Sequence, residues 1–124
     1  MSVTSEENIN FTITQGESFL RELQYVSEEE GTQVEIPIDI TGYTFVLEVR
    51  DKPEGRFLAA RCSIGDGITI TDAANGIVTL SITPEKTNKF SLPRSAYQLN
   101  SIDPYGSVDT WLQGWFKVYP GVIY

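Results

Sequence analysis

Three consecutive carboxylates, Glu28-Glu29-Glu30, run into Gly31 and form the densest group of side chains that could hold a cation. A calcium loop needs oxygen ligands spaced so that they converge on one ion. Consecutive residues diverge, and no Asp-x-Asp-x-Asp spacing occurs in the chain, so the run reads as an exposed acidic turn. Cys62 is the one thiol. It closes the segment Phe57-Leu58-Ala59-Ala60-Arg61-Cys62, where a small buried hydrophobe is expected rather than a nucleophile. There is no histidine, which removes the commonest general base and metal ligand, a structural zinc site and any Ser-His-Asp or Cys-His arrangement. Gly65-Asp66-Gly67 is too short for a phosphate cradle and lies between strands. Seventeen carboxylates could supply a glycosidase pair, but most fall in loops or on the polar side of alternating strands. The expectation is a non-enzyme with no catalytic residue, no cofactor, no metal and no small-molecule substrate.

Binding chemistry concentrates in the last aromatic stretch, Val108 to Tyr119. Read as one strand, Leu112, Gly114, Phe116 and Val118 point to a core, and Trp111, Gln113, Trp115, Lys117 and Tyr119 point the other way. Tryptophan and tyrosine combine large contact area with a polar handle and are enriched at interface hot spots. Trp111, Trp115 and Tyr119 are therefore candidate partner-binding residues. Val122, Ile123 and Tyr124 join them, because an apolar end is best covered by a neighbour.

The elements that must position these residues are strands. Ile9–Thr14 alternates with period two, as do Ser18–Val26, Tyr43–Arg50 and Ile77–Ile82. In the second of these Arg21 falls on the side of Phe19, which requires a rim position or a bulge. Pro37 confines Val34–Ile38 to an edge or a corner. Asn75-Gly76 marks a hairpin turn, and Thr83-Pro84 opens the one helical turn, with threonine as cap. About eight strands at intervals of roughly ten residues fit a β-sandwich or small barrel. Residues 1–8 are polar and are expected to form a flexible segment, leaving 9–124 as a single β domain. A chain of 124 residues is long enough to bury a core without disulfides. Nine Lys plus Arg against seventeen Asp plus Glu give a net charge of −8, a poor match to the phosphate backbone of free nucleic acid. No apolar run reaches the roughly 18 residues of a membrane span, so no membrane partner is expected. The polar start reads as neither a signal nor a transit peptide, which implies synthesis in a cytoplasm.

The order of these signals resembles a group of small tailed-phage proteins. The resemblance is carried by Ile13-Thr14-Gln15-Gly16, then Ile38-Asp39-Ile40-Thr41-Gly42-Tyr43 with Arg50 after it. It continues through Asn75-Gly76-Ile77-Val78-Thr79-Leu80-Ser81, Thr83-Pro84-Glu85-Lys86-Thr87 and Leu112-Gln113-Gly114-Trp115-Phe116-Lys117-Val118. Over residues 9 to 119 the chain is similar to the immunoglobulin-like N-terminal domain of phage baseplate upper proteins. It departs from the usual pattern at Gln98, where such proteins commonly carry aspartate after the aromatic residue. The resemblance implies an all-β, immunoglobulin-like antiparallel β-sandwich with one short helical turn. It implies a structural role in the virion, with other virion proteins as partners, many copies in a symmetric assembly and no catalytic residues. Tail, baseplate or fibre attachment is the first expectation. The alternatives are a capsid decoration protein, or a carbohydrate- or receptor-binding module that stacks its ligand on Trp111, Trp115 and Tyr119.

Overall fold

Period-two alternation sets most of this chain extended, and the computed structural model describes residues 1–29, 31–32 and 34–121. The elements in chain order are β1 (Ser2–Val3), β2 (Glu7–Asn8), β3 (Phe11–Thr14), β4 (Phe19–Glu28), β5 (Glu35–Pro37) and β6 (Thr44–Arg50). They continue with β7 (Leu58–Ile64), β8 (Gly67–Asp72), β9 (Ile77–Ile82), the helical turn α1 (Pro84–Thr87), β10 (Arg94–Ile102) and β11 (Val108–Tyr119). Eight of these strands have four residues or more, so the expected sandwich of about eight strands with one short helical turn is what forms. The others are two- and three-residue additions at the margins.

Hydrogen bonding runs β1-β4-β9-β8-β7-β6-β10-β11-β2, with β3 also on β11 and β5 on β4. The ladder folds over on itself. β4 and β11 share no hydrogen-bonded register, yet Phe19 and Phe116 meet edge-on at 5.3 Å between ring centroids. Tyr25 and Trp111 stack across the same space at 4.7 Å. The β4-β9-β8 wall therefore faces the β7-β6-β10-β11 wall, and the inward residues of each strand fill the gap. Phe45, Leu47 and Val49 of β6 and Val78, Leu80 and Ile82 of β9 are all buried. Arg21 takes the rim position its place in β4 requires: its guanidinium lies 4.8 Å from the Phe19 ring centroid while the side chain stays exposed.

The Asp39-x-Thr41-Gly42 corner is turn chemistry. The Asp39 carboxylate accepts hydrogen bonds from the Thr41 hydroxyl at 2.6 Å and the Thr41 amide at 2.9 Å. These two donors, the hydroxyl first, hold its pKa below the usual carboxylate value. Tyr43 N then donates to Ile40 O at 3.0 Å, and Gly42 supplies the positive φ of 82° that closes the reversal. Thr83 caps α1 as expected, its hydroxyl accepting from Lys86 N.

Residues 1–8 do not hang free. Ser2 and Val3 pair in parallel with Gln24 and Tyr25, and Glu7 and Asn8 pair with Leu112 and Gln113. Val3 is 1% exposed and belongs to the core. The polar composition of the run is misleading because it is held by backbone hydrogen bonds to strands remote in sequence, which its side chains do not report. The ladders that β1, β2 and β3 make are parallel, whereas the others are antiparallel apart from β7–β8.

Gly114 shows how closely the first strands approach the last. It has a φ of 157°, and an added Cβ would overlap the Ile9 carbonyl oxygen and lie 2.9 Å from Asn10 Oδ1. Gly114→Ala is expected to lower stability by about 1–3 kcal/mol, the usual range for overpacking, in urea titration. Wild-type stability in that variant would contradict the close approach.

Candidate functional site

The pairing of β10 with β11 decides which aromatic residues reach the surface. Arg94 lies opposite Lys117, Ala96 opposite Trp115 and Gln98 opposite Gln113. The register then slips: Leu99 opposes Leu112, but Asn100 opposes Thr110. Trp111 is the extra residue, and a bulge of this kind re-aims the side chain it carries. Both Trp111 and Leu112 are consequently buried. Trp111 stacks on Tyr25 and lies 5.5 Å from Phe45, and its indole N–H donates to the Val3 carbonyl at 3.1 Å.

This corrects the expected outward stripe. Strict alternation places Trp111 beside Trp115, and the bulge sends it to the core. Trp115 is half-buried on the outer face and Tyr119 is 46% exposed. Val122, Ile123 and Tyr124 lie outside the described residues.

On the Arg94 and Lys117 side of Trp115 the outer face is cationic, in contrast to the acidic chain as a whole. The Arg94 guanidinium carbon sits 4.0 Å from the Trp115 ring centroid, and Lys117 Nζ lies 5.3 Å from that of Tyr119. Ala96, small and flanked by Arg50 on β6 and Trp115 on β11, leaves a shallow groove of about 470 Å³ of mixed charge, bordered also by Glu48, Lys52, Glu54 and Gln113. A second groove of about 440 Å³ runs past Thr12, Pro93, Arg94 and Lys117 on the other side of Trp115. Arg50 and Arg61 both approach Glu48, at 3.4 and 3.9 Å. Among the described residues, no carboxylate lies within ion-pair distance of Arg94 or Lys117. The face can hold a carboxylate against an aromatic edge, with Arg94 presenting a planar donor fork. Arg94 was not singled out by the sequence. Its partner across the strand is visible only once the register is known.

The other polar groups with shifted protonation serve the scaffold. Burial pushes the Tyr97 phenol far up, and its hydroxyl donates to the Ile9 carbonyl. Burial likewise raises Tyr25, against the opposing hydrogen bond with Ser101. Cys62 is fully buried, and desolvation raises its thiol despite the nearby Lys86 ammonium. That matches its reading as a small hydrophobe. Burial alone would lower Lys86. The hydrogen bond to Asp66 at 2.9 Å and the neighbouring charges outweigh it, and the ammonium also donates to Arg61 O.

No family model and no curated protein matches this sequence. Solved structures do match. The chain shares the fold of the N-terminal domain of ORF48 from phage TP901-1. The TM-score is 0.60 at 12% identity, over 94% of this chain and 93% of that one. A chain from a structure on T cell specificity and activation by the bacterial superantigen toxic shock syndrome toxin-1 gives a TM-score of 0.48. It is 14% identical over 89% of this chain and 92% of the other. CopC from Methylosinus trichosporium OB3b gives 0.43 at 12% identity, over 97% and 90%. These two are too distant to carry an argument. The immunoglobulin-like sandwich is thus the fold of this chain, and the alignment with the phage domain spans nearly the whole of both chains.

The two tryptophans should separate in a stability measurement. Trp111→Phe strands the Val3 carbonyl without its buried donor, so a loss of about 2 kcal/mol or more is expected in chemical denaturation. Trp115→Phe should stay within about 0.5 kcal/mol of wild type, as surface changes do. Equal losses would contradict the assignment of faces.

Proposed function

We propose that this chain is a phage virion structural protein. It acts as an adaptor or attachment module of the tail, baseplate or fibre region, through protein contacts and without catalysis. The observation that carries this reading is the fold shared, over nearly the whole chain, with the phage ORF48 N-terminal domain. The ordered series of motifs between Ile13 and Val118, similar to baseplate upper proteins, supports it independently of the coordinates.

The outer face is consistent with protein contact rather than sugar stacking. A sugar platform needs bare ring faces, and Trp111 is buried while Arg94 lies over Trp115. An arginine stacked on a tryptophan at the edge of a groove is the composition expected of an interface anchor. Its neighbours in this reading are other virion proteins in a symmetric assembly of many copies.

Mass spectrometry of gradient-purified particles, separated into tails and capsids, tests the proposal. The expected result is this chain in the tail fraction, at a copy number that is a multiple of the tail symmetry. Recovery from the capsid fraction alone would favour a decoration role, and absence from particles would overturn the structural reading.

A further inference from the structure

Two places on the surface set like charges directly across a ladder. On β10 and β11 the pair is Arg94 and Lys117, both exposed. On β4 and β5 it is Glu28 and Glu35, also exposed. Directly opposed residues in an antiparallel pair have Cβ atoms about 4.5–5.5 Å apart, and like charges so placed destabilise the strand pair. Among the described residues, none of the four takes part in an ion pair or a side-chain hydrogen bond; the two cations are held only by aromatic faces, Arg94 over Trp115 and Lys117 over Tyr119. Each pair is a repulsion that an opposite pair of the same spacing would cancel.

Val34 and Ile36, 52% and 46% exposed, are the neighbours of Glu35 in sequence, and Ile36 opposes Ser27, so they line the other face of this strand pair. Beside the cations lie Trp115, Tyr119 and the groove past Thr12 and Pro93. The Arg94 guanidinium is held by its stack on Trp115, so little side-chain freedom is lost when a carboxylate meets its fork.

We propose that the acidic β4–β5 hairpin of one copy docks on the Arg94–Lys117 face of a second copy of this chain. The two patches are different, so the contact is head-to-tail and closes as a ring or continues as a chain of subunits. A hairpin laid on a shallow groove falls below the standard interface of about 800 Å² per partner, so the free protein associates weakly, in the micromolar-to-millimolar range. Held at high local concentration on a particle, the same contact becomes effective. The inference deepens the adaptor reading and rests on it for its setting, while its test stands apart.

Sedimentation velocity of the full chain over a concentration series is the experiment. The wild type should self-associate, and about 1 M salt should reverse this, because the screening length falls to roughly 3 Å. The groove variant Arg94→Glu/Lys117→Glu and the hairpin variant Glu28→Lys/Glu35→Lys should each associate about tenfold more weakly or worse. Mixed together, they should associate again, since each then offers the other an opposite charge at both patches. Arg94→Gln/Lys117→Gln keeps the shape and should also weaken association, should a charge reversal fail to fold. A wild type that stays monomeric overturns the proposal, as does a groove variant that associates like wild type or a mixture that stays apart. Monomeric protein that is nevertheless present in virions overturns the docking alone. Self-association by a protein absent from particles overturns the adaptor reading alone.

Discussion

The hydrogen bond from the buried Trp111 indole to the Val3 carbonyl is the constraint on which the rest of this molecule depends. An indole buried against Tyr25 and Phe45 removes about 150–250 Å² from water, but its N–H must find an acceptor there or cost stability. Here the start of the chain supplies it, through the Val3 carbonyl. Val3 enters the core, the parallel pairings of β1, β2 and β3 follow, and Gly114 has to lack a side chain where Ile9 crosses it. One bulged residue near the end of the chain thereby fixes where its beginning lies.

The same bulge shapes the outer face. Alternation is restored beyond Leu112, so Trp115, Lys117 and Tyr119 emerge together while Phe116 and Val118 go inward. Trp115 then meets Arg94 diagonally across the ladder and orders its guanidinium. The core and the candidate partner surface are built from one strand, and a one-residue change of register separates the two roles. An acidic molecule thus carries a local cationic, aromatic face, and a surface of that kind selects partners by charge complementarity more than by area.

Much of the sandwich was legible in the residues. The period-two alternation of β6 and β9, the Thr83 cap and the rim position of Arg21 each follow from local chemistry and hold in the folded chain, and Asn75-Gly76 falls in the β8–β9 reversal with Gly76 alone of the two at positive φ. The Asp39-Thr41-Gly42 corner is likewise local, since aspartate, threonine and glycine satisfy one another within four residues. What escaped the sequence is non-local. Of the two apolar residues in the run 1–8 only Val3 is buried, because the partners of the run are backbone groups of β4 and β11. A bulge leaves no mark in an apolar-polar pattern, so Trp111 read as a surface residue. Arg94 and Lys117, or Glu28 and Glu35, become pairs only through cross-strand register, which sequence separation conceals.

Hydrogen exchange of the two indole N–H groups, followed by NMR under native conditions, tests most directly whether the start of the chain is locked beneath Trp111. The Trp111 indole is expected to exchange only through global unfolding, with the protection of the slowest core amides, while the Trp115 indole exchanges much faster. If the Trp111 indole exchanges as fast as that of Trp115, residues 1–8 are a loose tail and this account of the fold is wrong.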